Sequence, residues 1–134
     1  ILDAGTGYLL GRDNVPIEPA RVEDLDRLPV FHDDGMFAAE REVRLRLAWA
    51  CWDDLAPETQ ARVARLDVTD PADVALTFRD DPVRLRLGAG GFSEKIDEYA
   101  AGRVRWTRDF GRLEYVDFRF ADRIYLKAVP EEGR

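Results

Sequence analysis

Apolar and polar residues alternate along the last stretch of the chain, EYVDFRFADRIYLKAV at residues 114–129. Alternation with a period of two places successive side chains on opposite faces of a β-strand. A turn at Ala121-Asp122-Arg123 would fold the stretch into a hairpin with a three-residue loop. Its apolar face then pairs Phe120 with Ile124, Phe118 with Leu126, and Val116 with Ala128. Its other face pairs Asp117 with Lys127 and Arg119 with Tyr125.

A second alternating stretch, VALTFRDDPVRLRLG at residues 74–88, predicts another hairpin. The residues at its centre, Arg79-Asp80-Asp81-Pro82, favour a turn. A four-residue loop at that point brings six apolar side chains onto one face of the ribbon. The predicted pairs are Phe78–Val83, Leu76–Leu85 and Val74–Leu87.

Two longer segments favour helices. Residues 37–55, FAAEREVRLRLAWACWDDL, alternate in part as a strand does, but their length and their alanine, glutamate and arginine content favour a helix. A second short helical turn is expected from Pro57, and ARLDVT at residues 64–69 predicts a strand. Residues 92–110, FSEKIDEYAAGRVRWTRDF, carry apolar residues at helical spacing.

The start of the chain completes the predicted fold. ILDAGTGYLL at residues 1–10 predicts two short strands around a glycine-containing turn at residues 4–7. Residues 11–28 are polar and interrupted by proline, which is typical of a surface connection. Together these elements predict an α+β domain, with a largely antiparallel sheet, one or two helices packed on it, and the final strand at the sheet edge.

A final strand at residues 124–129 leaves two possibilities open. In the first, the strand is covered, either by lying inside the sheet or by lying under the proline-rich connection of residues 11–28. In the second, it is a free edge of the sheet. A free edge leaves backbone N–H and C=O groups unpaired and can accept a strand from another chain. Only Lys127 and Pro130 could oppose such pairing.

Composition narrows the class of protein. The chain has 134 residues, the size of one domain, with 46% hydrophobic and 35% charged residues, which fits a folded protein rather than a disordered one. Its net charge of −7 argues against non-specific binding to nucleic acid. Cys51 is the only cysteine, so no internal disulfide can form, and its apolar neighbours predict a buried thiol rather than a nucleophile.

Candidate chemistry in the sequence is sparse. His32-Asp33-Asp34 is the only cluster that suggests a metal or acid–base site, and with a single histidine it fits a polar loop better. The acidic pairs at 53–54 and 80–81 are expected in solvated turns. GAGG at residues 88–91 lacks the lysine that a phosphate-binding loop requires directly after its glycine. The tryptophans are most simply explained as core residues, with a role in a secondary binding surface left open.

The closing segment EYVDFRFADRIYLK resembles that of the FtsQ/DivIB bacterial cell-division proteins, which commonly have a YVDLR-like sequence, a short turn and a final strand. Upstream segments resemble further family elements in the same order. ILDAGTGYLL and LPV resemble the opening hairpin and the LP segment that follows it. VALTFRDDPVRLRLG resembles the central hairpin, and FSEKIDEY resembles the helix with a lysine soon after a glycine.

The resemblance implies a single extracytoplasmic β domain over residues 1–134, cut from a longer inner-membrane protein with one span and a POTRA domain. It implies no enzymatic activity, cofactor or metal. It also implies binding of an FtsB/DivIC-type coiled-coil partner, and through it an FtsL-type protein, at the C-terminal edge strand. The partner-binding residues that it implies are Tyr115, Phe120, Asp122, Arg123, Ile124, Tyr125, Leu126 and Lys127. Some relatives have small residues at the final turn, so side-chain specificity stays open.

Two other functions stay open on the residues alone. One is a small hydrolase or ligand-binding domain with a pocket near His32 and the tryptophans. The other is an acidic soluble inhibitor or immunity-type protein. A membrane span and a POTRA-like region upstream of Ile1 in the parent reading frame would favour the docking domain over both.

Overall fold

A computed structural model describes residues 1–3, 7–13, 16–21, 23–24, 28–33, 41–70 and 72–130. These residues form nine strands and three helices. In chain order they are β1 (Leu2–Asp3), β2 (Gly7–Leu10), β3 (Pro16–Pro19), β4 (Val30–His32), α1 (Arg41–Asp54), α2 (Pro57–Gln60), β5 (Val63–Asp67), β6 (Ala75–Phe78), β7 (Asp81–Arg86), α3 (Phe92–Phe110), β8 (Leu113–Asp117) and β9 (Tyr125–Ala128). No helix within these ranges is long and apolar enough to cross a bilayer.

The strands lie in one sheet in the order β3-β2-β1-β4-β5-β6-β7-β8-β9. Most neighbours are antiparallel, and the parallel pairs are β1–β4, β4–β5 and β7–β8. A parallel pair of consecutive strands needs a crossover, which α1 and α2 supply between β4 and β5 and α3 supplies between β7 and β8. The α+β fold with the final strand at the sheet edge is therefore confirmed.

The two long helices contribute to the same apolar core as the central strands. In α1 the buried residues Leu45, Ala48 and Cys51 recur at helical spacing, which confirms the helix over residues 41–54. The start of the predicted helix, residues 37–40, lies outside the described residues. Helix α3 buries Phe92, Ile96 and Tyr99 in the same cluster, where they meet side chains of β5 to β8. The core thus fixes the position of β8, on which the last strand pairs.

The hairpin of β6 and β7 confirms the face predicted from sequence. All six of its predicted apolar residues are buried, and Leu76 pairs with Leu85 as expected. The predicted loop is wrong, however, because Phe78 faces Asp81 rather than Val83 across an irregularity in the register. Asp81 is itself buried, accepting a hydrogen bond from the Tyr99 hydroxyl at 2.5 Å and one from the Val83 amide at 3.1 Å. The prediction of a solvated turn residue fails at this position.

The opening of the chain forms the far side of the sheet. Strands β1 and β2 are antiparallel, as predicted, although residues 4–6 of their turn lie outside the described residues. The segment 11–28 is not only a connection, because Pro16–Pro19 within it forms β3, at the edge opposite β9. The part of this segment that forms β3 therefore does not cover the final strand, contrary to that alternative.

Candidate partner-docking edge

Strand β9 is the outermost strand on its side of the sheet. It pairs with β8 on one side, and no other strand among the described residues pairs with its outer side. The opposite edge strand, β3, begins and ends with proline, which has no N–H to donate to an added strand. Within β9, by contrast, every residue has an N–H. The two edges of the sheet therefore differ in their capacity to accept another strand.

The register of the last hairpin differs from the predicted one by two residues. Leu126 faces Val116 rather than Phe118, and Lys127 faces Tyr115 rather than Asp117. The connection is correspondingly longer, spanning residues 118–124, which we call the terminal turn. A shift of two residues keeps each side chain on its predicted face. The predicted division into an apolar and a polar face thus holds, although the individual pairs do not.

The backbone at Arg119 explains the shift. The Phe118 amide donates to the carbonyl of Arg86, so at this point the chain still bonds to the last residue of β7. One residue later, the Arg119 amide turns to Oδ1 of Asp117 at 3.0 Å. The Arg119 guanidinium also donates to both carboxylate oxygens of Asp117, at 2.8–3.1 Å. This local closure ends the strand before the predicted turn.

These contacts set the ionisation of Asp117. Burial alone would raise the pKa of this carboxyl, but the hydrogen bonds from Arg119 and the positive charges of Arg119 and Arg86 outweigh it. The pKa of Asp117 therefore lies below its usual value, and the carboxylate is charged at neutral pH. The pKa of the Arg119 guanidinium rises, mainly because of the same hydrogen bonds.

An aromatic and cationic cluster covers the terminal turn. The rings of Phe120 and Tyr125 meet edge to face, with their centroids 5.3 Å apart, and both side chains are exposed. The Arg123 guanidinium lies within 6 Å of both ring centroids and donates to the Tyr125 hydroxyl at 3.2 Å. Its Nε donates to Asp122 at 3.2 Å. Four of the eight predicted docking residues therefore form one exposed cluster.

The other predicted docking residues lie along β8 and β9. Ile124 and Leu126 are half-buried against the edge of the core. Tyr115 is half-buried on the opposite face, with the Lys127 ammonium 6.0 Å from its ring centroid. Lys127 also forms an ion pair with Glu114 at 3.2 Å. All eight residues thus surround the outer edge of β9 and the turn before it.

A groove of about 410 Å³ separates the terminal turn from the first turns of α3. We call it the terminal groove. It is lined by Gly91, Glu94, Lys95, Glu98, Phe118, Phe120, Ala121, Asp122, Arg123 and Ile124. The sequence predictions did not include Glu94 or Glu98, because nothing in the sequence places the start of α3 beside the final turn.

Lys95 fixes the loop between β7 and α3 that forms one wall of this groove. Its ammonium donates to the carbonyls of Leu87 at 2.6 Å and Gly90 at 2.8 Å. Two glycines of this loop, Gly88 and Gly91, adopt positive φ angles of 72° and 63°. The GAGG segment is therefore a tight connection held by a lysine, which fits its interpretation as a strand-to-helix link.

The structure describes two residues of the His32-Asp33-Asp34 cluster, and no group of three or more potential metal ligands occurs among the described residues. Asp33 is buried and forms ion pairs with Arg41 and Arg44, each at 2.9 Å. Asp34 lies outside the described residues. A cavity of about 320 Å³ does lie at His32, but it is not shared with the tryptophans as expected. Trp49 and Trp52 line a separate apolar cavity of about 260 Å³.

Cys51 is buried, as its apolar neighbours predict. Burial, assisted by the charge of Asp54, raises the pKa of its thiol to about 12. A thiol that stays protonated at neutral pH is a poor nucleophile. Trp49, Trp52 and Trp106 are partly buried against the core, in agreement with a mainly structural role.

Comparison with known proteins gives one family. The family described as "Cell division protein FtsQ/DivIB, C-terminal" matches residues 2–119. The match includes every element from β1 to β8 and ends at Arg119, so most of the terminal turn and β9 lie beyond it. No curated protein matches the chain.

Proposed function

The chain belongs to the FtsQ/DivIB family of cell-division proteins, as its C-terminal domain, and from this premise we propose that β9 docks an FtsB/DivIC-type partner by strand addition. The family is a non-enzymatic scaffold of the bacterial division complex, and its C-terminal domains are extracytoplasmic. On this proposal, the domain recruits its partner, and through it an FtsL-type protein, on the outer side of the inner membrane. The parent protein is held there by a single membrane span.

The outer edge of β9, with which no strand in the described part of the chain pairs, is the observation that carries this proposal. Its counterpart β3 has the same length but carries proline at both ends, a common way of preventing edge-to-edge pairing. The edge of β9 lacks this protection, and Pro130 follows only after the strand has ended. A partner in extended conformation therefore finds a template for pairing on one side of the sheet only.

Main-chain hydrogen bonds alone are too weak to hold the partner. Because alternate residues face outward, a four-residue strand offers about four outward N–H and C=O groups, each contributing about 0.5–1.5 kcal/mol when bonded. Loss of translational and rotational freedom opposes binding by about 4–15 kcal/mol. Apolar contacts with Phe120, Ile124 and Leu126 must supply the difference, and the terminal groove gives a partner side chain access to two of them.

Proline substitution tests this proposal. Tyr125→Pro and Leu126→Pro are made separately, because consecutive amides point to opposite sides of a strand and one of the two removes an outward donor. Binding of the fluorescently labelled extracytoplasmic part of the FtsB-type protein from the same bacterium is then titrated. The outward variant should fold, as judged by circular dichroism, and should bind at least about tenfold more weakly, a loss of about 1.4 kcal/mol.

Ile17→Pro on β3 is the matched control. Ile17 is exposed and is not paired with a residue of β2. The same substitution therefore alters the opposite edge of the sheet, at which the proposal places no partner. Its affinity should equal that of the unmodified domain. Undiminished binding by two folded β9 proline variants would refute docking at this edge.

A further inference from the structure

Two glutamates at the mouth of the terminal groove have no cationic partner among the described residues. Glu94 and Glu98 are one helical turn apart on α3, both are exposed, and both line the groove. Carboxylates at positions i and i+4 of a helix repel each other by about 0.2–0.5 kcal/mol. The helix dipole compensates for an acidic residue in the first turn, where Glu94 lies, but its effect has declined at Glu98.

The other charged groups of the groove are already engaged. The Lys95 ammonium is held by two backbone carbonyls, and Arg123 is held by Asp122 and Tyr125. Neither cation is in an ion pair with Glu94 or Glu98 in the described part of the chain. The groove lining has three carboxylates (Glu94, Glu98 and Asp122) and two cations (Lys95 and Arg123), so 2 − 3 gives it a net charge of −1, beside the ring of Phe120.

We infer that the terminal groove selects a partner segment with an arginine or lysine side chain beside its added strand, and this inference rests on the proposed function. The alkyl part of such a side chain would lie on the exposed ring of Phe120, and its charged end would reach the two glutamates. An acidic partner residue at the same place would meet repulsion from both carboxylates. The groove thus contributes specificity, and the strand edge contributes the generic main-chain contacts.

The position of the groove determines where the basic residue lies in the partner. The groove is lined by Ile124, which directly precedes Tyr125, the first residue of β9. Ala128, at the other end of the strand, does not line it. The partner's basic residue therefore flanks the end of its strand that passes beside Tyr125. On the helix side of the sheet, where Leu126 faces Val116, the partner should present apolar residues at every second position.

Charge reversal at the two glutamates tests the inference. The double variant Glu94→Lys/Glu98→Lys is titrated with the same labelled FtsB-type fragment at about 50 mM and at about 500 mM NaCl. These concentrations lie below and above 0.1 M, at which the Debye length is about 10 Å, so charges are weakly screened in the first titration and strongly screened in the second. Exposed ion pairs contribute about 0.2–1 kcal/mol each, so loss of two of them should lower the affinity about two- to thirtyfold at the lower salt concentration. At the higher salt concentration the difference should largely disappear.

Asp97→Lys is the matched control, since Asp97 is an exposed acidic residue on the same helix that does not line the groove. It should change the affinity by less than twofold. If the double reversal does not fold, Glu94→Gln/Glu98→Gln replaces it and should give a smaller loss in the same direction. Reversing the partner's basic residue to glutamate should restore binding to the lysine variant.

The outcomes separate this inference from the proposed function. Unchanged or tighter binding by the glutamate variants, with binding still abolished by proline in β9, would overturn the basic-residue inference and leave edge docking in place. Undiminished binding by the proline variants would refute the docking mode itself. Equal losses for Asp97→Lys and the double reversal would show a general charge effect and would also overturn the inference.

Discussion

The Arg119 guanidinium forms an ion pair with Asp117, two residues earlier in the chain, and donates hydrogen bonds to both oxygens of its carboxylate. The pair lies where β8 ends and the terminal turn begins. This contact shortens the last hairpin and sets where Phe120 and Tyr125 are presented. This ion pair is therefore one of the contacts that set the geometry of the candidate docking edge.

Asp117→Asn should destabilise the domain in a pH-dependent way. Because the folded-state pKa of Asp117 is lowered, its contribution is present above the unfolded pKa, near 3.8, and is lost as pH falls through the folded value. Urea unfolding at pH 7 should show a loss of about 1.5–3 kcal/mol, the usual range for a hydrogen bond to a charged group. The difference from the unmodified domain should shrink below about pH 4.

Asp122→Asn is the control for this measurement, because the Asp122 side chain is 75% exposed and its ion pair is on the surface. It should change stability by less than about 0.5 kcal/mol at either pH. A pH-independent difference for Asp117→Asn would contradict the role assigned to its charge.

Gly102→Ala should destabilise α3 although alanine is the better helix former. A Cβ at this position would lie 2.4–2.7 Å from ring atoms of Trp106, so the indole would have to leave its place against the core. Overpacking of this kind should lower the free energy of unfolding by about 1–3 kcal/mol. In a Trp106→Ala background the same substitution should stabilise the domain by up to about 1 kcal/mol. Stabilisation in both backgrounds would show that the Trp106 ring can keep its position when residue 102 has a Cβ.

Cys51 should react with thiol reagents only when the domain unfolds. Its thiol is fully buried, and the raised pKa of about 12 keeps it protonated at pH 8. Labelling with Ellman's reagent should be slow in buffer and rapid in guanidinium chloride. The variant Ala50→Cys/Cys51→Ala, which moves the thiol to an exposed position on α1, should react at once without denaturant. Fast reaction of the native Cys51 would contradict its burial.

Local sequence patterns determined much of the fold. The alternation in residues 74–88 placed six side chains in the core, and helical spacing identified α3. For α1, the alanine, glutamate and arginine content favoured a helix although the residues alternate in part as in a strand, and the structure confirms the helix over residues 41–54. These predictions succeed because each depends on the period of one continuous segment.

Features that depend on tertiary contacts were not predictable. The register of the last hairpin follows from Arg119 closing on Asp117 and from a bond between Phe118 and Arg86, and alternation does not distinguish registers that differ by two residues. Asp81 is buried because Tyr99, from a different element, donates a hydrogen bond to it. The glutamates of the terminal groove reach the docking edge only through the crossover of α3.

Hydrogen exchange of β9 with and without partner tests strand addition most directly. The domain is exchanged in D₂O alone and with saturating extracytoplasmic FtsB-type fragment, and amide uptake is compared between the two edges of the sheet. Outward amides of residues 124–128 should exchange more slowly in the complex, while residues 16–19 of β3 should be unchanged. If β9 exchanged equally fast with the partner bound, or if protection appeared on β3 instead, strand addition at the C-terminal edge would be contradicted.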